Sequence, residues 1–316
     1  MSGPKSDAAS KAKSAAASKA RSAAASKEGR SILRGFGWMV VTGFFFVAVT
    51  GIVRHLGSDM NPMQAAFIRY LMGLILLSPI LFRLSIVHIM SAHLGLHAIR
   101  GVIHGTGVML WFYAMARIPI AEVTALGFTA PIFTTVGAAL FLGERLYARR
   151  IGAVLFGFGG TLVILRPGIE VIDLGAIAML IAAPLFAGSF LIAKRLTATE
   201  SSASIVAILS VFVTLTLALP AIAVWRPPSW EELGLLLATA IFATSGHYTL
   251  IQAIRAADLS VTQPISFLQL VWATLLGLYA FGEVPDAWTW VGAAIIVGSA
   301  TYIAHREATR RRRDPD

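Results

Sequence analysis

The chain is built from one unit used twice. From Ala121 to Ile164 an apolar stretch ends in Gly143-Glu144, a short polar turn follows, and a second apolar stretch opens with Ile151-Gly152-Ala153. From Ser260 to Ile303 the same design returns, with Gly282-Glu283 at the turn and Val291-Gly292-Ala293 opening the second stretch. Gly143 and Glu144 lie 139 residues before Gly282 and Glu283, while Gly152 and Thr161 lie 140 before Gly292 and Thr301. Upstream, Ile52, Arg54 and Leu56 match Ile192, Lys194 and Leu196 at an offset of 140, and Pro79 matches Pro220 at 141. Such a register marks an internal repeat, which decides the architecture before any single element does.

The unit is apolar. Ten segments, at 35–53, 63–82, 96–115, 120–142, 150–166, 174–193, 203–224, 233–253, 259–281 and 287–304, alternate with short connections. Helices of this length cross a hydrocarbon layer of about 30 Å at about 1.5 Å per residue. The composition agrees: 57% of residues are hydrophobic and 13% charged, where a soluble domain carries about a quarter charged. The net charge of +10 sits in tails and short loops, with no basic face interleaved with aromatics, so it reads as a membrane-orientation signal and excludes a nucleic-acid partner. There are no cysteines, hence no disulfide and no thiolate metal site.

A five-helix unit is odd, so its second copy enters the membrane from the opposite side. The expected fold is an all-α polytopic membrane protein of ten transmembrane helices in two inverted five-helix repeats, related by a two-fold axis in the membrane plane. Secondary transporters use this architecture, with the solute site near the bilayer midplane at the repeat interface. The domains expected are a basic Ala/Ser/Lys tail at 1–34 with no packed core, a first repeat at 35–166, a second at 174–304, and a basic tail at 305–316. With the N-terminus inside, eight loop Lys/Arg face inward against four outward, and both basic tails add to the inward side. This predicts a multi-pass inner-membrane protein with cytoplasmic termini. The tail carries an eight-residue repeat, SKAKSAAA then SKARSAAA, which matches no helical period; it reads as a solvated segment, with anionic lipid contact or a transit peptide as alternatives.

Three strings carry a family resemblance: FIRYLMGLILLSP (Phe67–Pro79), AEVTALGFTAPIFTTVGAALFLGERL (Ala121–Leu146) and SFLQLVWATLLGLYAFGEVPDAWTWVGAAIIV (Ser266–Val297). The chain resembles the EamA-domain transporters of the drug/metabolite transporter superfamily over about residues 35–304. The resemblance implies two units around a central cavity and an inner-membrane transporter of small organic solutes. Similar proteins are assigned to riboflavin uptake, S-adenosylmethionine uptake, export of amino acids and metabolites, and metallophore export.

No enzyme signature, catalytic residue, metal-ligand cluster or cofactor motif is present, so the chemistry falls to polar groups at membrane depth, which are costly and often functional. Arg69, six residues into the second segment, is a candidate to meet an anionic or carbonyl-bearing solute, or else a side chain that reaches back to the interface. In the third segment Arg100, His104, Gly107 and Trp111 share one face, and Gly101 with Gly105 allows close helix approach. His104 and His247 both sit near mid-span, one helical turn out of repeat register. They are candidates for proton-linked solute binding, or neutral rings bonded to a neighbour. In the ninth segment Gln263, Ser266, Gln269 and Trp272 accompany a kink expected at Pro264, and in the fourth a kink is expected at Pro131. Glu144 and Glu283 brace the short turns, and Glu122 favours a helix N-terminus. Tyr248 joins Trp111 and Trp272 as a candidate aromatic wall.

The expected function is therefore a gradient-driven transporter, with membrane lipid around it, protons as coupling ion, and a monomer or homodimer as the working unit. An aromatic or amphipathic solute such as riboflavin is the leading candidate. The alternatives are an exporter of amino acids or other metabolites, an S-adenosylmethionine uptake system and, in a different class, a non-transporting scramblase or scaffold.

Overall fold

The computed structural model describes residues 33–57, 59–83, 93–130, 132–133, 148–166, 172–256 and 265–313. Among them are ten helices and no strand. We label them α1 (Leu33–Leu56), α2 (Pro62–Arg83), α3 (Leu94–Met115), α4 (Ile120–Gly127), α5 (Ala148–Leu165), α6 (Leu174–Leu196), α7 (Ser202–Ala223), α8 (Trp230–Ala256), α9 (Leu268–Phe281) and α10 (Ala287–Arg313). Five of these (α1, α2, α6, α7 and α8) are long and apolar enough by themselves to cross a membrane. Nearly all of the expected N-terminal tail lies outside the described residues, and α1 begins at Leu33, two residues earlier than expected. The helix of the last segment runs on through the basic stretch to Arg313.

Sequence sets the helix ends. Asp173 accepts from the Gly175 amide at 2.6 Å and starts α6; Ser201 accepts from the Ser204 amide at 3.0 Å and starts α7. At α8, Ser229 and Glu232 bond reciprocally to each other's amides, a capping box that satisfies two otherwise orphaned donors. α9 stops because Gly282 turns left-handed (φ 66°), which lets the Glu283 amide reach back to the Gly277 carbonyl at 3.0 Å. α4 ends at Gly127, and Phe128 and Thr129 tighten into i→i−3 bonds just before position 131. Pro131, Pro264 and Gln263 themselves lie outside the described residues, as does Glu144.

The packing is two-fold. α2 packs on α7, α4 on α9 and α5 on α10, each helix against its own repeat counterpart; α3 packs on α7 as α8 packs on α2. The repeats run in opposite directions. The start of α6 at Gly175 touches Arg117 and Ile118, just past the end of α3, whereas the end of α6 at Leu196 joins a buried cluster with Met39, near the start of α1. The same contact is made twice across the axis: a Cβ on Gly107 of α3 would meet the Phe186 ring of α6 at 3.1 Å, and one on Gly246 of α8 would meet the Phe46 ring of α1 at 2.8 Å. Phe46 and Phe186 are 140 residues apart, Gly107 and Gly246 139.

The helix ends are clasped in the same symmetric way. Arg54 Nη1 donates to the Met115 carbonyl at 2.9 Å, tying the end of α1 to the end of α3. Its repeat counterpart Lys194 donates to the Ile254 carbonyl at 3.1 Å, tying α6 to α8. Arg54 also pairs at 2.5 Å with Glu283, whose second oxygen accepts from the Ile120 amide at 2.8 Å. Glu283 thus caps α4 while bridging the two repeats.

Candidate functional site

A cavity of about 270 Å³ lies between the repeats, walled by α1, α2, α3, α4, α6, α8 and the start of α9. It reaches Met39, Phe190 and Ile254 toward one end of the molecule. Toward the other it stops at Arg69, Trp111 and Val123, on the side of the Arg54–Glu283 clasp. Phe46, Phe112, Phe128, Phe186 and Phe190 supply aromatic wall, and Thr42, Thr50, Tyr70 and Thr124 add polar points.

The symmetry of the fold places the histidines. α3 and α8 are repeat counterparts, and His104 and His247 meet across the axis with ring centroids 5.1 Å apart. Each ring also meets the phenylalanine of the mirrored contact edge-on, His104 with Phe186 at 5.3 Å and His247 with Phe46 at 5.4 Å. His104 Nδ1 bonds the Ser189 hydroxyl at 3.0 Å, and Arg100 Nε donates to that hydroxyl at 3.3 Å. Arg69 is 5% exposed, with its guanidinium carbon 3.8 Å from the centroid of the Tyr70 ring.

Of the residues singled out by sequence, Arg69, His104, Trp111, His247, Ser266 and Gln269 line this one cavity. Tyr248 and Trp272 do not. Tyr248 is 40% exposed; Trp272 is 38% exposed and packs on Phe44 with centroids 5.3 Å apart. Tyr248 directly follows the cavity residue His247 on its helix, and a step of one residue turns the side chain about 100° away. Sequence reasoning missed Tyr70, Phe46, Phe186 and Ser189. The offset of 140 that relates Phe46 to Phe186 was the available signal.

A second polar cluster lies at the start of α3. His97 Nε2 meets both oxygens of Glu200 at 3.0 and 2.9 Å, and both side chains are buried. Arg100 continues the strip with a bond to the Ile205 carbonyl at 3.2 Å. This pins α3 to the turn between α6 and α7.

A helical bundle whose inverted repeats flank a polar-and-aromatic cavity defines a multi-pass membrane transporter for a small solute. The sequence matches the EamA-like transporter family at residues 33–166 and again at 173–304, and the chain belongs to that family. It is 33% identical over 250 residues to a riboflavin transporter of Rhizobium johnstonii, covering 79% of this chain and 83% of that protein. It is 29% identical to an S-adenosylmethionine uptake transporter of Rickettsia bellii (80% and 87% covered) and 27% identical to a pseudopaline exporter of Pseudomonas aeruginosa (78% and 87% covered). A solved crystal structure shares the fold at TM-score 0.58 and 18% identity, covering 89% of this chain and 98% of that one. The protein is a transporter and not an enzyme.

Proposed function

We propose that the protein moves a small aromatic or amphipathic metabolite through the central cavity by alternating access, with riboflavin as the first solute to test. The observation that carries this reading is the cavity on the inter-repeat axis, walled by paired phenylalanines and a facing histidine pair. Several relatives are named riboflavin transporters, which supports the choice. An all-helical bundle suits an inner membrane, since outer-membrane spanning proteins are barrels. Arg195 and Arg255 are exposed at the end where α1 starts, so this end is read as cytoplasmic, and the cavity extends toward it.

Protons are the proposed coupling ion, with His104 and His247 as carriers beside Arg69, Arg100 and Tyr70. The test is riboflavin flux into proteoliposomes under an imposed pH gradient. We expect saturable, gradient-dependent flux, reduced about a hundredfold in His247→Gln, the low end of the range general for a lost proton-transfer group. Flux that ignores the gradient would remove the coupling; absent flux at every gradient would remove the solute assignment.

A further inference from the structure

The charge balance of the interior bears on what the cavity can hold, given the reading of that cavity as the solute site. Among the described residues two guanidiniums are buried, Arg69 and Arg100. Arg100 is satisfied by Ser189 and Ile205. Arg69 lies over Tyr70 and has no carboxylate or hydrogen-bond acceptor among the described residues. Glu200 is the one carboxylate among the buried described residues, and His97 holds both of its oxygens. The described lining of the cavity contains no Asp or Glu.

A second donor stands nearby. Arg100 Nε donates to the Ser189 oxygen, and the same hydroxyl bonds His104 Nδ1. In the tautomer in which Ser189 donates to Nδ1, the ring proton sits on Nε2, which is buried and unpartnered among the described residues. A buried cation without a counter-charge and a buried donor without an acceptor are each unfavourable in a low-dielectric wall. Both are relieved by the same ligand chemistry.

We infer that the cavity selects solutes that present an anionic or carbonyl-rich edge to Arg69 and His104, and rejects solutes that carry a fixed cation. A flavin ring with its row of carbonyl and nitrogen acceptors meets this requirement. A sulfonium centre is opposed by it.

The test uses an isosteric set with the purified full chain: 2-naphthoate, 2-naphthamide and the 2-naphthamidinium cation, with binding read from the ligand-dependent rise in Tm. Expected is an order of carboxylate, amide, amidinium, with about tenfold in apparent Kd between the ends, the scale of one lost charge-assisted bond. Arg69→Gln flattens the order and Arg69→Lys keeps it; the ligand-free Tm of both variants reports folding in the same experiment. An amidinium that binds as well as the carboxylate, no binding by any member, or an order unchanged in Arg69→Gln overturns the inference. Riboflavin flux separates the two readings. Flux with the wrong charge order sinks only the charge selection, and the expected order without flux sinks only the flavin assignment.

Discussion

At the scale of single residues, Asp286 has two partners at the start of α10. One carboxylate oxygen caps the helix by accepting from the Thr289 amide at 2.7 Å, and the other pairs with Arg166 at 2.6 Å, just past the end of α5. Partial burial alone would raise this carboxyl; the Thr289 donors and the Arg166 guanidinium outweigh it and hold the group below its ordinary value. A carboxylate with a depressed folded value stabilises most above its unfolded pKa, and the contribution fades as pH falls through the lower folded value. Asp286→Ala is therefore expected to lower Tm at neutral pH, by a deficit of about 1 kcal/mol for a lost cap, and the gap from wild type should close below about pH 4. A gap independent of pH would show that the charge plays no part. At this scale the sequence was partly legible. His104, His247 and Arg69 stand out because a polar group in an apolar run must have a reason. The His97–Glu200 pair does not, since it joins a helix start to a turn about a hundred residues away and no local pattern encodes that distance. Tyr248 and Trp272 show the opposite limit: periodicity gives a face, but which neighbour covers it is decided by packing.

Helix pairs carry the next level. α5 and α10 cross where a Cβ on Gly160 would meet the Gly292 carbonyl at 2.8 Å, and one on Gly292 would meet the Gly160 carbonyl at 2.6 Å. α3 meets α7 at Gly101, where a Cβ would fall 2.2 Å from that of Phe212. These clashes involve backbone or the root of a side chain, so neither neighbour can swing aside. Gly101→Ala and Gly292→Ala should each cost about 1–3 kcal/mol, as overpacking does. Gly234→Ala on α8 meets nothing within 4 Å and should be neutral or gain up to about 1 kcal/mol of helix propensity. Thermal unfolding in detergent checks all three, and equal losses at the three sites would refute the crossing geometry. The close approach at Gly101 and Gly105 is written in the sequence as a small-residue spacing. That Phe212 fills it is not, because the partner helix is chosen by the two-fold arrangement.

For the whole molecule, the inverted repeat was legible from the register, and the opposite run of α1 and α6 follows from it. The matched clasps, Arg54 on Met115 and Lys194 on Ile254, tie corresponding helices at opposite ends. Loosening one should favour access from its own side. Arg54→Met is expected to raise labelling of a cysteine at Val123 by an outside, impermeant maleimide about threefold. Lys194→Met should lower it, and the double variant should return near wild type, as compensating shifts in a two-state equilibrium do. The same direction of change in both single variants would break the symmetry argument. Orientation is checked separately. A cysteine at Ser229 should react from outside and one at Thr199 should not.

The mirrored seats of Phe46 and Phe186 also set a schedule for synthesis. Phe46 leaves the ribosome two hundred residues before Gly246, the glycine that receives it, and α2 and α3 wait likewise for α7. The first half of the chain therefore enters the lipid with most of its packing partners still unmade. Assembly begins in earnest only with the second half. A chain stopped after α5 should insert yet remain open to proteases, whereas the two halves made as separate polypeptides should find each other, since the contacts that hold them run mostly between the halves and not along them.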